Sequence, residues 1–270
     1  MKQAIAKENI ITHKKQAIRK LNNLLENYIS TEEPKFLKKT NLISYWLENF
    51  VSYISSEDTF DSTRLLRYRR GSVIRVNFGF NVGKELGGMH FAVVIDNDNK
   101  RNADVLTVIP LSSTDGRTVH ERNVDLGTEL FTKILDAHNK LYSDAKEHLS
   151  TINENINAFT SAIELFKRMQ EKDANSPDIK KQIEEILNYQ TQLQMEQKLL
   201  EKQVAKLEHD EAEIHKMKSG SMAVVNQITT VSKQRIFTPK RSEDFLFGIT
   251  LSPAAMDKIN EKIKELYVHN

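Results

Sequence analysis

Two β-rich segments of this chain lie far apart, and a long helical pattern separates them. The first runs from Tyr68 to Ser113 and holds three Val- and Ile-rich runs, at Ser72–Phe78, Phe91–Asp96 and Asp104–Pro110. The second, Ser221–Phe237, has the same character. Short apolar runs between polar or glycine-containing turns are typical of strands in a small closed sheet. We therefore predict an α+β fold in which a helical insertion interrupts one β module.

The remaining β pattern and the C-terminal helix complete this module. Thr118–Asp125 reads as a fourth strand at an edge, and Met222–Phe237 as two more short strands. A final amphipathic helix is expected over Pro253–Val268, because Pro253 suits a first helical turn and Ser252 is a good N-cap.

The insertion carries a heptad pattern. Its apolar seam advances in alternating steps of four and three on both sides of a break at Asp173–Pro177, which predicts an antiparallel coiled-coil hairpin with both ends at one place. Gln190 and Gln197 lie in the seam, where they fix the register or contact a polar partner. The hairpin is either a structural or dimerising arm or one that senses a partner. The seam positions are Phe131, Leu135, His138, Tyr142, Ala145, Leu149, Ile152, Ile156, Phe159, Ile163 and Phe166, then Ile179, Ile183, Ile186, Gln190, Leu193, Gln197, Leu200, Val204, Leu207, Glu211 and Ile214.

Two amphipathic helices are predicted before the β module, over residues 1–29 and Leu42–Ile54, with a break at Ser30–Pro34. They pack on the barrel or on a partner subunit, or they shade the active face and regulate it. The predicted divisions are a helical extension at 1–66, a discontinuous barrel at 67–127 and 219–270, and the hairpin at 128–218.

Composition narrows the function classes. The chain has no cysteine, which excludes disulfides, thiol catalysis and Cys-bound zinc. No apolar run reaches membrane-spanning length and residues 1–3 do not resemble a signal peptide, so a cytoplasmic protein is expected. The net charge of +2 is too small to indicate nucleic-acid binding by itself. No His, Asp and Glu set has metal-ligand spacing, and no cofactor is expected.

Four short motifs in a fixed order resemble the MazF/PemK family, the toxin half of bacterial toxin–antitoxin pairs. They are Arg-Gly at 70–71, G-x-E-x-x-G at 83–88, Pro110 with Ser112, and Q-I-x-T-V at 227–231 followed by Lys233 and Arg235. The helical insertion and the first 60 or so residues have no counterpart in a minimal member, and they look like features of a larger subgroup in Gram-positive bacteria.

The resemblance implies an SH3-like barrel, usually homodimeric, that cuts single-stranded RNA without metal and leaves a 2′,3′-cyclic phosphate. An antitoxin protein is the implied partner. The family uses an Arg after the G-x-E-x-x-G-x stretch and a Thr at the end of the third strand. Those positions are His90 and Ser112 in this chain, and the Pro that normally follows the Arg is Phe91.

His90 and Ser112 are therefore the predicted catalytic pair. Cleavage by the neighbouring 2′-hydroxyl needs a base, an acid and groups that stabilise charge at phosphorus. An unperturbed imidazole titrates near neutral pH, so His90 can serve as base or acid, and Ser112 retains the hydroxyl of a Thr. His90 has a structural alternative, a hydrogen bond to a backbone carbonyl, and Ser112 has another, the cap of a turn.

Substrate-binding roles are predicted for Arg69, Arg70, Lys84, Ser113 and Gln227. The three cationic side chains would compensate phosphate charge, Ser113 is a neighbouring hydroxyl, and the Gln227 amide suits a base edge or a phosphate. In the alternative interpretation, Arg69 and Arg70 are solvated residues at the start of a strand, and Gln227 has a structural role in bracing the barrel. Three lesser expectations are that Glu85 holds its loop through backbone N–H groups, that His120 is a second imidazole, and that Phe80 stacks on a base.

Two functions from different classes remain. The first is a metal-independent endoribonuclease toxin held by an antitoxin. The second is a catalytically silent MazF-like module that binds nucleic acid or protein, with the hairpin recruiting a partner. A purely structural coiled-coil dimeriser leaves the turn residues of 83–90 unexplained.

Overall fold

The computed structural model describes residues 6–172 and 177–268. In chain order the elements are α1 (Lys7–Ser30), α2 (Pro34–Ser56), β1 (Val73–Asn77), β2 (Met89–Val94), β3 (Val105–Ser113), β4 (Val124–Gly127), α3 (Glu129–Lys172), α4 (Pro177–His215), β5 (Ser221–Ala223), β6 (Thr229–Ser232), β7 (Ile236–Thr238) and α5 (Pro253–Tyr267).

The strands form one seven-stranded antiparallel sheet built from both β-rich segments. Its order is β4-β5-β3-β2-β1-β7, and β6 also pairs with β3. Strands from after the insertion thus flank strands from before it, as the sequence predicts. A closed, SH3-like barrel and the three domain boundaries stay predictions.

The C-terminal β segment differs from its prediction. It contains three short strands rather than two, because single-turn 3₁₀ helices at Val225–Gln227 and Lys233–Arg235 interrupt it. The predicted edge strand is also shorter, since a backbone bond from Asn123 to the His120 carbonyl makes a turn before β4. The Ser252 cap is confirmed, with its Oγ accepting from the Ala255 N–H at 3.2 Å.

Alternating strand residues supply two hydrophobic clusters, one on each face of the central strands. In β1, Val73 belongs to one cluster, whereas Ile74 and Val76 belong to the other. The first cluster also includes residues of α3, α5 and the end of α4, so both ends of the insertion are anchored on the same face of the sheet. This anchoring is why a long insertion leaves the sheet intact.

The two arms of the insertion run antiparallel, as predicted. Near their base the buried His138 lies with its Nε2 2.9 Å from the Leu207 carbonyl oxygen. Further out, Gln197 donates to Asn153 Oδ1 at 2.7 Å and Gln190 donates to Thr160 Oγ1 at 2.8 Å. Both seam glutamines therefore bond across to the opposite arm, which fixes the register. Residues 173–176 of the predicted break lie outside the described residues, and coiled-coil geometry stays a prediction.

The N-terminal helices form a pair of which α2 reaches the sheet. Helix α2 begins at Pro34, earlier than predicted, because proline fits the first turn of a helix as well as the end of one. Its Trp46 packs on Gly79, two residues after the end of β1, and its Tyr53 hydroxyl lies 3.4 Å from Asn77 Nδ2. Helix α1 contains no buried residue.

The contact between α2 and the sheet gives a stability prediction. Gly79 has φ +83°, and a Cβ there would lie 2.8 Å from the Trp46 ring. Gly248 has φ +79°, and a Cβ there would meet no atom within 4 Å. In both alanine variants the new side chain is strained by the left-handed backbone, but only Gly79→Ala also forces a Cβ against a neighbouring ring. The free energy of unfolding of Gly79→Ala should therefore fall by about 1–3 kcal/mol more than that of Gly248→Ala. Urea unfolding of the two variants measures the difference, and equal losses would contradict the packing of Trp46.

Candidate active site

The first residues of β2 and the last residues of β3 meet at one end of the sheet. Phe91 pairs with Leu111 in the antiparallel ladder, and this register places His90 beside Ser112. Directly opposed residues of antiparallel strands share a face and lie within reach of one another. The structure thus brings together the two side chains that the sequence assigns to catalysis.

A cavity of about 290 Å³ lies at this point. His90, Ser112 and Ser113 line it from the sheet, and the base of the helical insertion supplies the opposite set of lining residues. From α3 these are Leu130 and Phe131, and from the segment after α4 they are Lys216, Met217 and Lys218.

The two lysines were missed from the sequence alone. Lys218 forms an ion pair with Asp115 and lowers the pKa of that carboxyl, so its ammonium group is held near the end of β3. The sequence did contain an indication of their position. The second arm of a helical hairpin ends beside the start of the first arm, so residues just after the second arm lie near the sheet. Lys216 and Lys218 are the cations that this arrangement places at the cavity.

His90 is half-buried, with its ring edge against Phe78 at a centroid distance of 6.5 Å. Burial lowers the pKa of its imidazole below the ordinary value of 6.5. Backbone hydrogen bonding with Leu111 and Gly87 acts in the opposite direction by favouring the protonated form. The net shift favours a neutral imidazole at neutral pH, which is the state that accepts a proton.

Arg69 and Arg70 lie at the other end of the β1–β2 ladder. The Arg70 guanidinium donates to the Ile95 carbonyl oxygen and to Asn260 Oδ1 on α5. Ile95 is five residues beyond His90, which corresponds to roughly 17 Å of extended chain at about 3.4 Å per residue. The structure therefore does not bring Arg69 and Arg70 to the His90 cavity. They lie just before the start of β1, and because β1 and β2 are antiparallel, the start of β1 is opposite the end of β2, far from His90.

Lys84 and Gln227 belong to a second cavity, of about 610 Å³, which Thr229, Thr230 and Arg235 also line. The Gln227 amide accepts from the Leu86 N–H and donates to the Lys84 carbonyl oxygen at 3.1 Å. Gln227 thus braces the 81–88 loop, the structural alternative that the sequence left open.

Glu85 and His120 make local contacts. Glu85 accepts from the Val82 N–H at 3.3 Å and so holds its own loop, as expected. His120 is exposed and accepts from the Arg122 N–H at 3.2 Å, at a turn before β4. It is not among the residues that line the His90 cavity.

Within residues 6–172 and 177–268, no group of three or more His, Asp or Glu side chains is arranged to hold a metal ion. Among the same residues, no helix has both the length and the apolar character needed to span a bilayer.

Comparison with known proteins identifies the domain. A family model described as PemK-like, MazF-like toxin of type II toxin–antitoxin system matches residues 69–152. None of the curated proteins compared with the chain matches it. The matched range includes β1 to β4, and therefore His90 and Ser112, and continues into α3.

The matched segment thus carries the features of a toxin domain from type II toxin–antitoxin systems. Residues 69–152 are thus similar to toxins of the MazF/PemK family, which confirms the predicted resemblance. Toxins of this family are generally endoribonucleases, and a type II toxin is paired with an antitoxin.

Proposed function

We propose that this protein is a metal-independent endoribonuclease toxin that cleaves single-stranded RNA through its 2′-hydroxyl groups. The observation that carries the proposal is the position of His90 beside Ser112 in one cavity, within the range that matches the toxin family. The barrel, the homodimer, a cytoplasmic location and a small antitoxin partner belong to the same proposal.

The reaction needs one proton acceptor at the 2′-oxygen. Neutral His90 takes the 2′-hydroxyl proton, and the 2′-oxygen attacks the adjacent phosphorus. The bond from phosphorus to the 5′-oxygen breaks, and that oxygen takes a proton that the imidazolium returns. The products are a 2′,3′-cyclic phosphate and a 5′-hydroxyl, and His90 ends in its initial state.

Negative charge on the phosphate oxygens is the second requirement. The Ser112 hydroxyl donates to one of these oxygens, and the ammonium groups of Lys216 and Lys218 supply positive charge. These groups take the place of the fixed charge of the arginine that the family carries at the His90 position.

A specific observation favours the second candidate, a silent binding module. The His90 ring lies against Phe78 and interacts with backbone groups of Leu111 and Gly87, which is also what a purely structural histidine does. In that case the protein binds RNA with micromolar, salt-dependent affinity and leaves it intact.

The decisive experiment is RNA cleavage by purified, antitoxin-free protein in excess EDTA. Cleavage should continue unchanged, because every group in the proposed chemistry belongs to the protein or the substrate. An RNA with a single 2′-deoxy nucleotide at the cleavage position should stay intact, and the same RNA with the substitution elsewhere is the matched control. Loss of cleavage in EDTA that Mg²⁺ restores, or cutting at the deoxy position, would contradict the mechanism.

A further inference from the structure

A third cavity, of about 590 Å³, lies between α2 and the loop that joins β1 to β2. Helix α2 contributes Tyr45, Trp46 and Asn49, and the loop contributes Phe80 and Asn81. Three aromatic side chains and two amides thus face one space. This volume is within the range of protein sites that hold small ligands.

The chemistry of the walls suits a nucleobase. Unpaired bases are recognised by stacking on aromatic rings and by hydrogen bonds to their edges. Asn49 donates to the Tyr45 carbonyl oxygen at 2.7 Å, and Asn81 donates to the Leu86 carbonyl oxygen at 2.8 Å. Each bond uses one amide hydrogen, and a side-chain amide has a second hydrogen and a carbonyl oxygen with which to contact a base.

The aromatic walls of the cavity are held in place by neighbouring residues. Trp46 packs on Gly79, and the Arg235 guanidinium lies 5.2 Å from its ring centroid. Lys39 lies 5.9 Å from the ring centroid of Phe80. Tyr45 is 60% exposed, so its ring is accessible from solvent.

The cavity adjoins the proposed active site. Met89, the residue before His90, lines both this cavity and the His90 cavity. Because the two cavities share this residue, a single strand with a phosphate at His90 can continue from one cavity into the other.

We propose that this cavity is a base-binding pocket through which α2 selects the RNA sequence that is cut. The inference rests on the proposed function for the identity of the strand as RNA. It assigns substrate recognition to a helix that lies outside the range matched by the family model, which begins at residue 69.

The pocket has a built-in probe, because Trp46 is the single tryptophan of the chain. The full-length protein is titrated with single-stranded octanucleotides of 2′-O-methyl RNA, which cannot be cleaved through the 2′-oxygen. Trp46 emission should change saturably, and octanucleotides of different base composition should differ in affinity. Tyr45→Ala should weaken binding about ten-fold or more, as expected for the loss of one base-stacking contact.

Tyr189→Ala is the matched control. Tyr189 is 61% exposed and lies on α4, where its ring contacts Phe159 of the other arm. This variant should bind like the wild type. With cleavable RNA, Tyr45→Ala should also relax the choice of cleavage sites, and Tyr189→Ala should not.

The outcomes separate this inference from the nuclease proposal. If RNA is cut but Trp46 emission is unchanged and Tyr45→Ala keeps the same sites and rates, the pocket is refuted and the nuclease stands. If Tyr45→Ala cut RNA faster than the wild type, α2 would obstruct access to the active site rather than bind a base, and the pocket would again be refuted. If RNA stays intact while Trp46 responds in a Tyr45-dependent manner, the pocket stands and the nuclease chemistry fails.

Discussion

Replacing His90 with alanine is expected to reduce RNA cleavage by about 10²–10⁴-fold, the usual contribution of a positioned general base. The reason is that the imidazole beside Ser112 is the proton acceptor of the proposed reaction. Single-turnover cleavage of a short RNA, compared between variant and wild type, measures the loss. Thermal unfolding of both proteins checks that the fold is retained.

His90→Gln distinguishes catalysis from a structural role. A glutamine retains hydrogen-bonding groups for the backbone near Leu111 and Gly87, but it does not exchange protons near neutral pH. If His90 transfers a proton, the glutamine variant should be about as inactive as the alanine variant. A glutamine variant that cuts RNA at the wild-type rate would show that His90 is only a brace.

The pH profile supplies a second check on His90. Because burial lowers its pKa, kcat/KM should fall on the acid side with a midpoint below 6.5. The shift also makes folding depend on pH. Below pH 6.5 the unfolded chain takes up a proton that the folded protein resists, so the stability contribution of His90 falls as the pH drops. An acid limb centred above 6.5, or one that persists in His90→Ala, would contradict the assignment.

Local patterns in the sequence predicted most helices and strands well. They could not predict which strands from distant parts of the chain pair with one another. Alternation and apolar runs located β1 to β3, and steps of four and three located both arms of the insertion. The partner of each short C-terminal strand depends on packing against β1 and β3, which no local pattern encodes. That is why the segment 222–237 was divided into two strands rather than three.

The site was predictable only in part, for a related reason. Family motifs gave His90 and Ser112, because each motif fixes the end of a strand and these ends are neighbours in the sheet. The same motifs suggested Arg70, but its guanidinium is committed to Ile95 and Asn260 at the other end of the ladder. Lys216 and Tyr45 come from segments outside the motifs. Only the folded structure places Lys216 at the His90 cavity and Tyr45 at the neighbouring cavity.

Ser112→Ala should reduce cleavage by about 10²-fold, similar to the removal of one preorganised donor from an oxyanion site. The hydroxyl is expected to donate to a phosphate oxygen whose negative charge grows as the 2′-oxygen attacks. Because this interaction strengthens in the transition state, the loss should fall on kcat with little change in KM. Steady-state cleavage of a fluorescent RNA separates the two constants.

Ser113→Ala is the control for Ser112, since both serines line the same cavity and both lie near the end of β3. Successive residues of a strand point to opposite faces, so only one of the two hydroxyls shares a face with His90. The register assigns that position to Ser112, because Leu111 is opposite Phe91. Ser113→Ala should therefore cut RNA within a few-fold of the wild type. If Ser113→Ala lost more cleavage activity than Ser112→Ala, the donor would be Ser113. The position of the family's Thr would then not correspond to Ser112 in this chain.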